Sequence, residues 1–483
     1  MNIASCVKTN SENFGEKVAI TFTGKKYTYS KTWDLIMGTC DVLISEGINK
    51  GDRVGLAMKD HPLHLISHFA VAALGAVIVP IDHRWTEKEK QIACSTFKVK
   101  VLITDNKNIK EINTIYLEEA NIPSAIHSLA KIDLNYDQEL LISLSSGTTG
   151  RPKGAILNHG NLYERFVSQW KSIGFNADDN FGLLTPLFFG AGRSFAMSML
   201  VTGGTVEIAP PPHKPNEIIE ILNNNDISAT FLPPTLLRRL LPLACGSLPL
   251  FNKLKYLLYS GEPLHSEEAL DCLKKISPNL IGYYASSEGG GISIIKPLEI
   301  EKYSETVGTP IHQTEVEIVD DNNHTLNPNE VGKLRYRGPG VAVNFLDDRG
   351  NNFSTKNDGG WFFPGDLAKK LSTGHIQLIG RSSDLIIRGG INIYPNEIES
   401  ALIKDPTIRE VAILGQKNNK FGETIVAFVE TSSDFNLSET LSYCKQNLAP
   451  YKIPEQFIQL EALPKKESGK INKQQLKESL IKS

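Results

Sequence analysis

The chain has 483 residues, of which 41% are hydrophobic and 22% charged, and its formal net charge is -3. This is the composition of an ordinary globular protein of about three domain-sized units, without the broad positive field that binding to DNA or RNA requires. The six cysteines form no C-x-x-C pair, which argues against a disulfide framework or a zinc site and favours a reducing cytoplasm. The longest apolar stretch, 69–81, is too short to span a bilayer and no signal peptide is visible, so we expect a soluble protein.

Helical and strand patterns alternate through the first part of the chain. Apolar spacing predicts helices over 30–46 and 62–74 and buried strands over 52–58 and 76–80. Further strands are predicted over 140–144, 206–209, 229–232 and 256–260. This alternation predicts an α/β layered sheet with helical crossovers, and ligands usually sit at the strand ends of such sheets.

The strand over 140–144 leads into a segment rich in hydroxyls and glycines. Its candidate phosphate-binding residues are Ser145, Ser146, Gly147, Thr148, Thr149, Gly150, Lys153 and Gly154. Hydroxyls and exposed backbone N–H groups can bind a triphosphate, and the lysine adds a positive charge. Pro152 and Gly154 break the P-loop pattern, and the alternative interpretation is a plain surface turn.

Three further loops carry groups suited to binding. YYASSEGGG, 283–291, combines aromatic rings, hydroxyls and the carboxylate of Glu288, which suit stacking on a base and holding Mg²⁺. YSGEPL, 259–264, and PLFFGAG, 186–192, contribute Gly261, Glu262, Phe188 and Phe189. A flexible glycine-rich loop is the alternative for 283–291.

From residue 315 the pattern changes to short strands. DLAKKLSTGHIQLIGR predicts a hairpin that turns at 372–374 and brings Asp366 near Arg381, although each alone could be a solvated charge. Beyond it, a helix over 396–404, strands over 411–414 and 424–429 and a helix from 438 to before 450 predict a compact α+β unit. We place the domain boundary at 381–384.

SSGTTGRPKGA resembles the phosphate-binding signature of the adenylate-forming superfamily, which includes acyl- and aryl-CoA ligases, adenylation domains and luciferases. The other motifs follow in that family's order, ending with LPKKESGKINKQQL, 463–476, around Lys470. The resemblance implies an acyl-CoA synthetase-like fold, in which a large α/β domain with a small β-barrel-like subdomain precedes a smaller α+β domain. The implied domains are an AMP-binding adenylation domain over 1–380, a hinge over 381–384 and a mobile domain over 385–483.

The resemblance also implies roles for single residues. Lys470, Glu288 and Thr148 would be catalytic, with Glu288 the magnesium ligand. The nucleotide would contact Ser145, Ser146, Gly147, Thr148, Thr149, Gly150, Lys153, Gly261, Glu262, Tyr284, Ser287, Asp366 and Arg381. Ser383 would be the hinge, Arg388, Gly389 and Gly390 would face coenzyme A, and the acyl pocket would include Phe188, Phe189, Arg193, Gly289 and Gly290. Lys470 lies in a lysine-rich tail, so a solvated side chain is its alternative, and Arg193 could be purely structural.

Three positions depart from the family pattern. Phe189 replaces a histidine that usually lines the acyl pocket, Pro364 replaces a threonine, and Ser383 replaces the usual charged hinge residue. The first substitution puts a familiar substrate contact in doubt. The second removes a hydroxyl contact, and the third keeps only the hinge position.

The implied activity is that of an AMP-forming acid–CoA ligase using ATP, Mg²⁺ and coenzyme A. We rank a fatty or branched acid first, an aryl acid second and a diacid, suggested by Arg193, third. One alternative is an enzyme that loads a separate carrier protein, and the other is a non-catalytic nucleotide-binding regulator. No nucleic-acid partner is expected, and a homodimer is left open.

Overall fold

The computed structural model describes residues 2–109, 111–124, 136–146, 152–262, 264–354, 359–388, 391–418, 422–466 and 470–482. The helices, in chain order, are α1 (Ile3–Phe14), α2 (Tyr29–Ser45), α3 (Pro62–Ala73), α4 (Glu87–Thr96), α5 (His159–Ile173), α6 (Gly190–Thr202), α7 (Pro215–Asn224), α8 (Pro234–Leu240), α9 (Ser266–Asp271), α10 (Pro297–Tyr303), α11 (Pro395–Leu402), α12 (Leu437–Asn447) and α13 (Lys473–Lys482). Within the described part of the chain, none is long and apolar enough to cross a membrane.

The strands of the first 315 residues and their immediate continuation are β1 (Val18–Phe22), β2 (Lys25–Thr28), β3 (Arg53–Ala57), β4 (Val77–Pro80), β5 (Val101–Thr104), β6 (Thr114–Tyr116), β7 (Glu139–Ser146), β8 (Pro152–Asn158), β9 (Asn180–Leu183), β10 (Thr205–Ile208), β11 (Ala229–Phe231), β12 (Tyr256–Tyr259), β13 (Leu280–Ser286), β14 (Gly290–Ile295), β15 (Thr309–Pro310) and β16 (Glu315–Val319). They are followed by β17 (Gly332–Arg337), β18 (Asn344–Leu346), β19 (Asn352–Phe353), β20 (Asp366–Lys370), β21 (Ile376–Arg381), β22 (Ile386–Arg388), β23 (Ile391–Ile393), β24 (Ile408–Asn418), β25 (Gly422–Thr431) and β26 (Gln456–Leu460).

The chain divides into two compact units. The first consists of Met1–Glu315 and Tyr336–Phe362, and the second of Val316–Arg335 and Phe363–Ser483. The predicted boundary at 381–384 therefore does not coincide with this division, because β20 and β21 belong to the second unit. The physical reason is that β21 contacts α11, which groups the hairpin with the C-terminal elements. The hinge at Ser383 stays a prediction.

A nine-stranded sheet in the first unit has the order β15-β14-β13-β12-β11-β9-β10-β1-β2. Its central strands, from β13 to β1, pair in parallel, and the pairs at both ends are antiparallel. Central parallel strands are covered on both faces, so they appear in the sequence as short apolar runs. The predicted strands over 206–209, 229–232 and 256–260 are confirmed as β10, β11 and β12.

An eight-stranded sheet in the same unit has the order β19-β18-β8-β7-β4-β3-β5-β6. Strands β7, β4, β3, β5 and β6 run parallel, whereas β8, β18 and β19 are antiparallel to their neighbours. The predicted helices over 30–46 and 62–74 are confirmed as α2 and α3, and the predicted strands over 52–58 and 76–80 as β3 and β4. Asp60, Asp82 and Asp105 each follow one of the adjacent strands β3, β4 and β5.

The second unit contains two smaller sheets. The short strands, expected to form a barrel-like subdomain, form a four-stranded sheet in the order β16-β17-β20-β21. Strands β23-β22-β25-β24 form the other sheet, and β26 pairs with β25. Strand β24 is longer than the predicted 411–414 because its polar ends continue the pairing with β25 beyond the apolar run.

Both faces of the β24–β25 pair are covered, which accounts for the apolar run in each strand. Ile413 and Ile425 pack in one cluster with Ile398 of α11, and Leu414 and Phe428 pack in another with Leu476 of α13. Successive strand residues point to opposite faces, so two helical layers are needed to bury both sets. This confirms the predicted α+β character of the C-terminal part.

Candidate functional site

The predicted phosphate loop connects two antiparallel strands of the eight-stranded sheet. The backbone of Ser145 pairs with that of Lys153 and the backbone of Ser146 with that of Pro152, so the loop begins where β7 ends. Lys153 is exposed, and Gly147, Thr148, Thr149 and Gly150 lie outside the described residues. A Cβ added to Gly154 would lie 2.5 Å from Cγ2 of Ile142, so packing between strands accounts for that glycine.

The loop that carries Glu288 leaves the end of β13, beside the parallel strands of the first sheet. Tyr284 is partly buried and Ser287 is exposed. The backbone oxygen of Glu288 accepts hydrogen bonds from the Ala342 N–H at 2.8 Å and from Nη2 of Arg165 at 2.6 Å. Among the described residues, the Glu288 carboxylate has no hydrogen-bond or ion-pair partner, so the loop backbone is held while the acid is available.

The Glu288 carboxylate, which has no partner among the described residues, suits magnesium that is bound together with a nucleotide. The described residues contain no group of three or more His, Cys, Asp or Glu side chains arranged to hold a metal on their own. Mg²⁺ is commonly bound by one or two carboxylates plus the phosphates of a substrate, which requires no protein cage. Glu288 could supply such a carboxylate.

Gly261 borders open space, whereas the carboxylate of Glu262 is partly buried. Gly261 has φ 97°, and a Cβ added there would meet no atom within 4 Å, so its backbone borders open space. Oε2 of Glu262 lies 3.2 Å from Nη1 of Arg238, while its Oε1 is buried with no partner among the described residues. Arg238 is shared with Glu268, at 2.8 Å, so the charge of Glu262 is only partly offset.

The predicted acyl pocket is built around the turn before α6. The rings of Phe188 and Phe189 lie 4.4 Å apart, and the guanidinium of Arg84 lies 5.0 Å from the centre of the Phe188 ring. Oδ1 of Asp60 accepts a hydrogen bond from the Leu187 N–H at 2.9 Å, across 127 residues of sequence. Sequence reasoning missed Asp60, although a polar residue directly after a buried strand is a signal that could have indicated it.

Arg193 is a buried cation in this turn, with only 4% of its surface exposed. Its Nη1 donates to the carbonyl oxygens of Leu187, at 3.3 Å, and Phe188, at 2.9 Å. Burial, with a smaller contribution from the charge of Arg165, lowers the pKa of Arg193 to about 9. No carboxylate among the described residues pairs with Arg193, so it retains N–H groups for another acceptor.

Gly289 and Gly291 are required by neighbouring side chains. An added Cβ at Gly289 would lie 2.1 Å from the hydroxyl oxygen of Tyr336, and one at Gly291 would lie 2.0 Å from that of Tyr283. Packing within the protein therefore accounts for these glycines. A place for Gly289 and Gly290 in the acyl pocket stays a prediction.

In the second unit, the hairpin brings Asp366 and Arg381 together. They occupy paired positions on β20 and β21, and Arg381 Nε lies 2.9 Å from Asp366 Oδ1. The predicted contact is confirmed, while the roles of both residues in binding a nucleotide stay predictions. Arg381 also donates to the carbonyl oxygen of Pro364 at 2.6 Å.

The remaining predicted residues of this unit lie on its surface or near it. Ser383 is exposed and donates to Asp384 at 3.1 Å. Arg388 forms a short ion pair with Glu455 and donates to the Tyr451 carbonyl at 2.9 Å, so its head group is already engaged. Lys470 is exposed, and Gly389 and Gly390 lie outside the described residues.

Comparison with known proteins assigns both parts of the chain. Residues 7–346 match the family model described as AMP-binding enzyme, and residues 397–470 match the model of the AMP-binding enzyme C-terminal domain. The 2-succinylbenzoate–CoA ligase of Listeria monocytogenes serotype 4b is 28% identical over 466 residues, which cover 96% of each chain.

Solved structures share the fold. The o-succinylbenzoate CoA synthetase (MenE) from Bacillus subtilis in complex with the acyl-adenylate intermediate OSB-AMP aligns with a TM-score of 0.86 and 24% identity, covering 98% of this chain and 97% of that one. The same enzyme in complex with ATP and a magnesium ion aligns with a TM-score of 0.87 and 24% identity, covering 98% and 99%. At this identity the similarity establishes the architecture, and it confirms the predicted fold class.

Proposed function

Because the chain belongs to the AMP-binding enzyme family, we propose that it forms the coenzyme A thioester of an aromatic dicarboxylic acid of the 2-succinylbenzoate type, by way of an acyl-adenylate. The predicted resemblance to the adenylate-forming superfamily is confirmed, as is the predicted class of AMP-forming acid–thiol ligase using ATP, Mg²⁺ and coenzyme A. The identity of the acid is the proposal.

The observation that carries the proposed acid is the buried guanidinium of Arg193. A buried cation is costly unless an anion accompanies it, and no carboxylate among the described residues does so. A substrate with a second carboxylate would satisfy the N–H groups that Arg193 keeps free. The relative of known activity is named for such an acid, 2-succinylbenzoate, which also has an aromatic ring for Phe188 and Phe189. We therefore place the diacid first, ahead of the fatty and simple aryl acids ranked above it from sequence.

The first half-reaction joins the substrate carboxylate to AMP. A carboxylate oxygen attacks the α-phosphorus of ATP, a P–O bond forms, and the bond to pyrophosphate breaks. Such a displacement depends on positioning and on neutralising charge. We assign the triphosphate to the loop that Lys153 follows, the ribose to Asp366 and the developing charge to Lys470. Mg²⁺, held by Glu288, would neutralise charge on the departing phosphates.

The second half-reaction transfers the acyl group to sulfur. The thiol of coenzyme A loses its proton to solvent and its sulfur attacks the acyl carbonyl. The C–S bond forms, and AMP leaves with the electron pair of the C–O bond. We assign the approach of the thiol to the segment from Arg388 to Gly390, and the change between the two half-reactions to a rotation at Ser383. A cytoplasmic location and a homodimer stay predictions.

Pyrophosphate release with a matched pair of acids tests the proposed substrate. We expect 2-succinylbenzoate to support release, and 4-oxo-4-phenylbutyrate, which lacks the ring carboxylate, to require at least a tenfold higher concentration. Arg193→Gln should remove this preference, whereas Arg239→Gln, which removes an exposed arginine from α8, should keep it. Equal use of both acids by the unaltered enzyme would reject the diacid.

The same assay separates the alternative functions. Thioester formed with a carrier protein but not with free coenzyme A would indicate a carrier-loading enzyme. A complete absence of acid-dependent pyrophosphate release across a broad panel of acids would favour the non-catalytic regulator.

A further inference from the structure

Helix α5 presents two polar side chains to the backbone around Glu288. Asn161 and Arg165 lie one helical turn apart and therefore on one face. Asn161 Nδ2 donates to the carbonyl oxygens of Pro339, at 2.7 Å, and Val341, at 3.2 Å. Arg165 Nε donates to Gly340 at 2.8 Å. This face of α5 thus fixes the segment whose Ala342 N–H binds the Glu288 carbonyl.

Arg165 also binds the loop itself. Its Nη1 donates to the Ser287 carbonyl at 3.3 Å and its Nη2 to the Glu288 carbonyl at 2.6 Å, across 123 residues of sequence. All three nitrogens of the guanidinium therefore bind backbone oxygens. Burial lowers the pKa of Arg165 to about 10, with Tyr336, Glu288 and Tyr283 opposing that shift, so the group keeps its charge at neutral pH.

The opposite side of the loop rests on Tyr336. Its hydroxyl lies 2.6 Å from Oγ of Ser286, which in turn accepts the Gly289 N–H at 2.9 Å. Gly290 has φ 73°, and a Cβ there would come 2.8 Å from Cδ of Arg165. Arg165 and Tyr336 therefore hold the loop between them, and the glycines allow both to approach.

We propose that Arg165 is a positioning residue for magnesium: by binding the Ser287 and Glu288 carbonyls, it orients the Glu288 carboxylate toward the metal that accompanies ATP. This inference rests on the proposed function, in which Glu288 holds Mg²⁺. In this role Arg165 acts through the loop backbone and not by contact with metal or substrate. Its contribution is to fix the backbone. If the loop were loose, it would have to be ordered when the metal binds, and the entropic cost of that ordering would weaken metal binding.

Calorimetric titration of the purified full-length chain with ATP, with saturating Mg²⁺ and with EDTA, tests the proposal without depending on turnover. Mg²⁺ should raise the ATP affinity of the unaltered chain. In Arg165→Gln this increase should be at least tenfold smaller, while ATP affinity in EDTA changes by less than twofold. Arg165→Lys keeps the charge but not the planar donor set, so its increase in ATP affinity with Mg²⁺ should lie between those of the unaltered chain and Arg165→Gln. Arg239→Gln is the matched control and should behave like the unaltered protein.

Two outcomes would overturn the proposal. One is an equal loss of ATP affinity with and without Mg²⁺, which a general structural role would produce. The other is an unchanged gain from Mg²⁺ in Arg165→Gln. If that variant does not fold, Tyr336→Phe replaces it, because this change removes the hydroxyl that contacts Ser286 on the other side of the loop. The increase in ATP affinity produced by Mg²⁺ must then be at least threefold smaller than in the unaltered chain.

The titration also keeps the two hypotheses apart. An unaltered chain that gains ATP affinity from Mg²⁺ but releases no pyrophosphate with any acid would contradict the proposed function, while the role of Arg165 stands or falls by its own variants. An unaltered chain that gains nothing from Mg²⁺ would overturn the role of Arg165 together with the metal assignment of Glu288.

Discussion

Asp366 and Arg381 form an ion pair across a two-stranded hairpin, although Arg381 is 53% exposed and Asp366 only 9%. The exposed partner can move while the buried carboxylate stays in place, so Asp366 is the better candidate for a fixed contact with ribose hydroxyls. Ion pairs with an exposed partner add about 0–1 kcal/mol to stability, so this pair contributes little to holding the fold together.

We therefore expect Asp366→Asn to weaken ATP binding by about tenfold, equivalent to about 1.4 kcal/mol, because an amide is a weaker acceptor than a carboxylate. Thermal unfolding should change little. Arg381→Gln serves as the comparison, since it removes the ion pair but keeps the carboxylate. A similar ATP affinity in Asp366→Asn and the unaltered chain would contradict the ribose assignment.

Lys470→Ala should abolish acyl-adenylate formation and leave thioester formation from supplied acyl-adenylate largely intact. The reason is that an ammonium stabilises charge in the first transition state only, in the two-step scheme proposed above. Pyrophosphate release measures the first step, and thioester formed from synthetic adenylate measures the second. Lys477→Ala, in α13, provides the control, and equal loss of both steps would reject the assignment.

Asp60 should control the use of the acid without affecting ATP. Asp60→Leu leaves the Leu187 N–H without its acceptor, which costs about 1–3 kcal/mol for a buried group and should displace the Phe188–Phe189 turn. We expect the KM for the acid to rise at least fivefold and the KM for ATP to stay within twofold. Asp60→Asn keeps a side-chain carbonyl oxygen, so it should resemble the unaltered chain. A parallel rise of both KM values would indicate a general disturbance.

The first unit should lose stability as the pH falls from about 6.5 to about 4. Burial is the main cause that lowers the pKa of His61 to about 4 from its ordinary 6.5; the charge of His64 adds to the shift, and Asp105 and Asp60 oppose it. Between these values the unfolded chain binds a proton that the native chain does not. The free energy of unfolding therefore decreases as the pH decreases, by about 1.4 kcal/mol per pH unit for one such group. Above pH 6.5 the contribution is fully present.

The measurement is the denaturant midpoint at pH 7.5, 6.0 and 5.0. His61→Asn, which supplies a good N-cap residue for α3, should show a shallower decline than the unaltered chain. Burial also lowers the pKa of His68, so part of the decline should persist in this variant. Identical pH profiles would show that His61 does not contribute.

Local sequence patterns predicted several strands of the two large sheets, helices α2 and α3 and the hairpin of β20 and β21. They did not predict β13 or α5, which position Glu288 and Arg165. Asp366 and Arg381 could be paired from sequence because a hairpin relates them by its turn. Arg165 and Asp60 could not, since their partners lie on other elements, 123 and 127 residues away, and depend on how helices and sheets pack. The glycines after Glu288 attracted a ligand-based interpretation because the sequence does not show that Tyr336 and Arg165 approach them.

The path of the chain between its compact units has a consequence for synthesis. The chain leaves the first unit after Glu315, returns at Tyr336 and leaves again after Phe362. Strand β18, which covers the edge of β8, is therefore translated only after the second unit has begun to emerge. A nascent chain that ends at 315 would expose β8 as an open edge, ready to pair with other chains. No single cleavage of the backbone can separate the two units, and a polypeptide designed to contain the first unit alone would have to bridge 315 to 336.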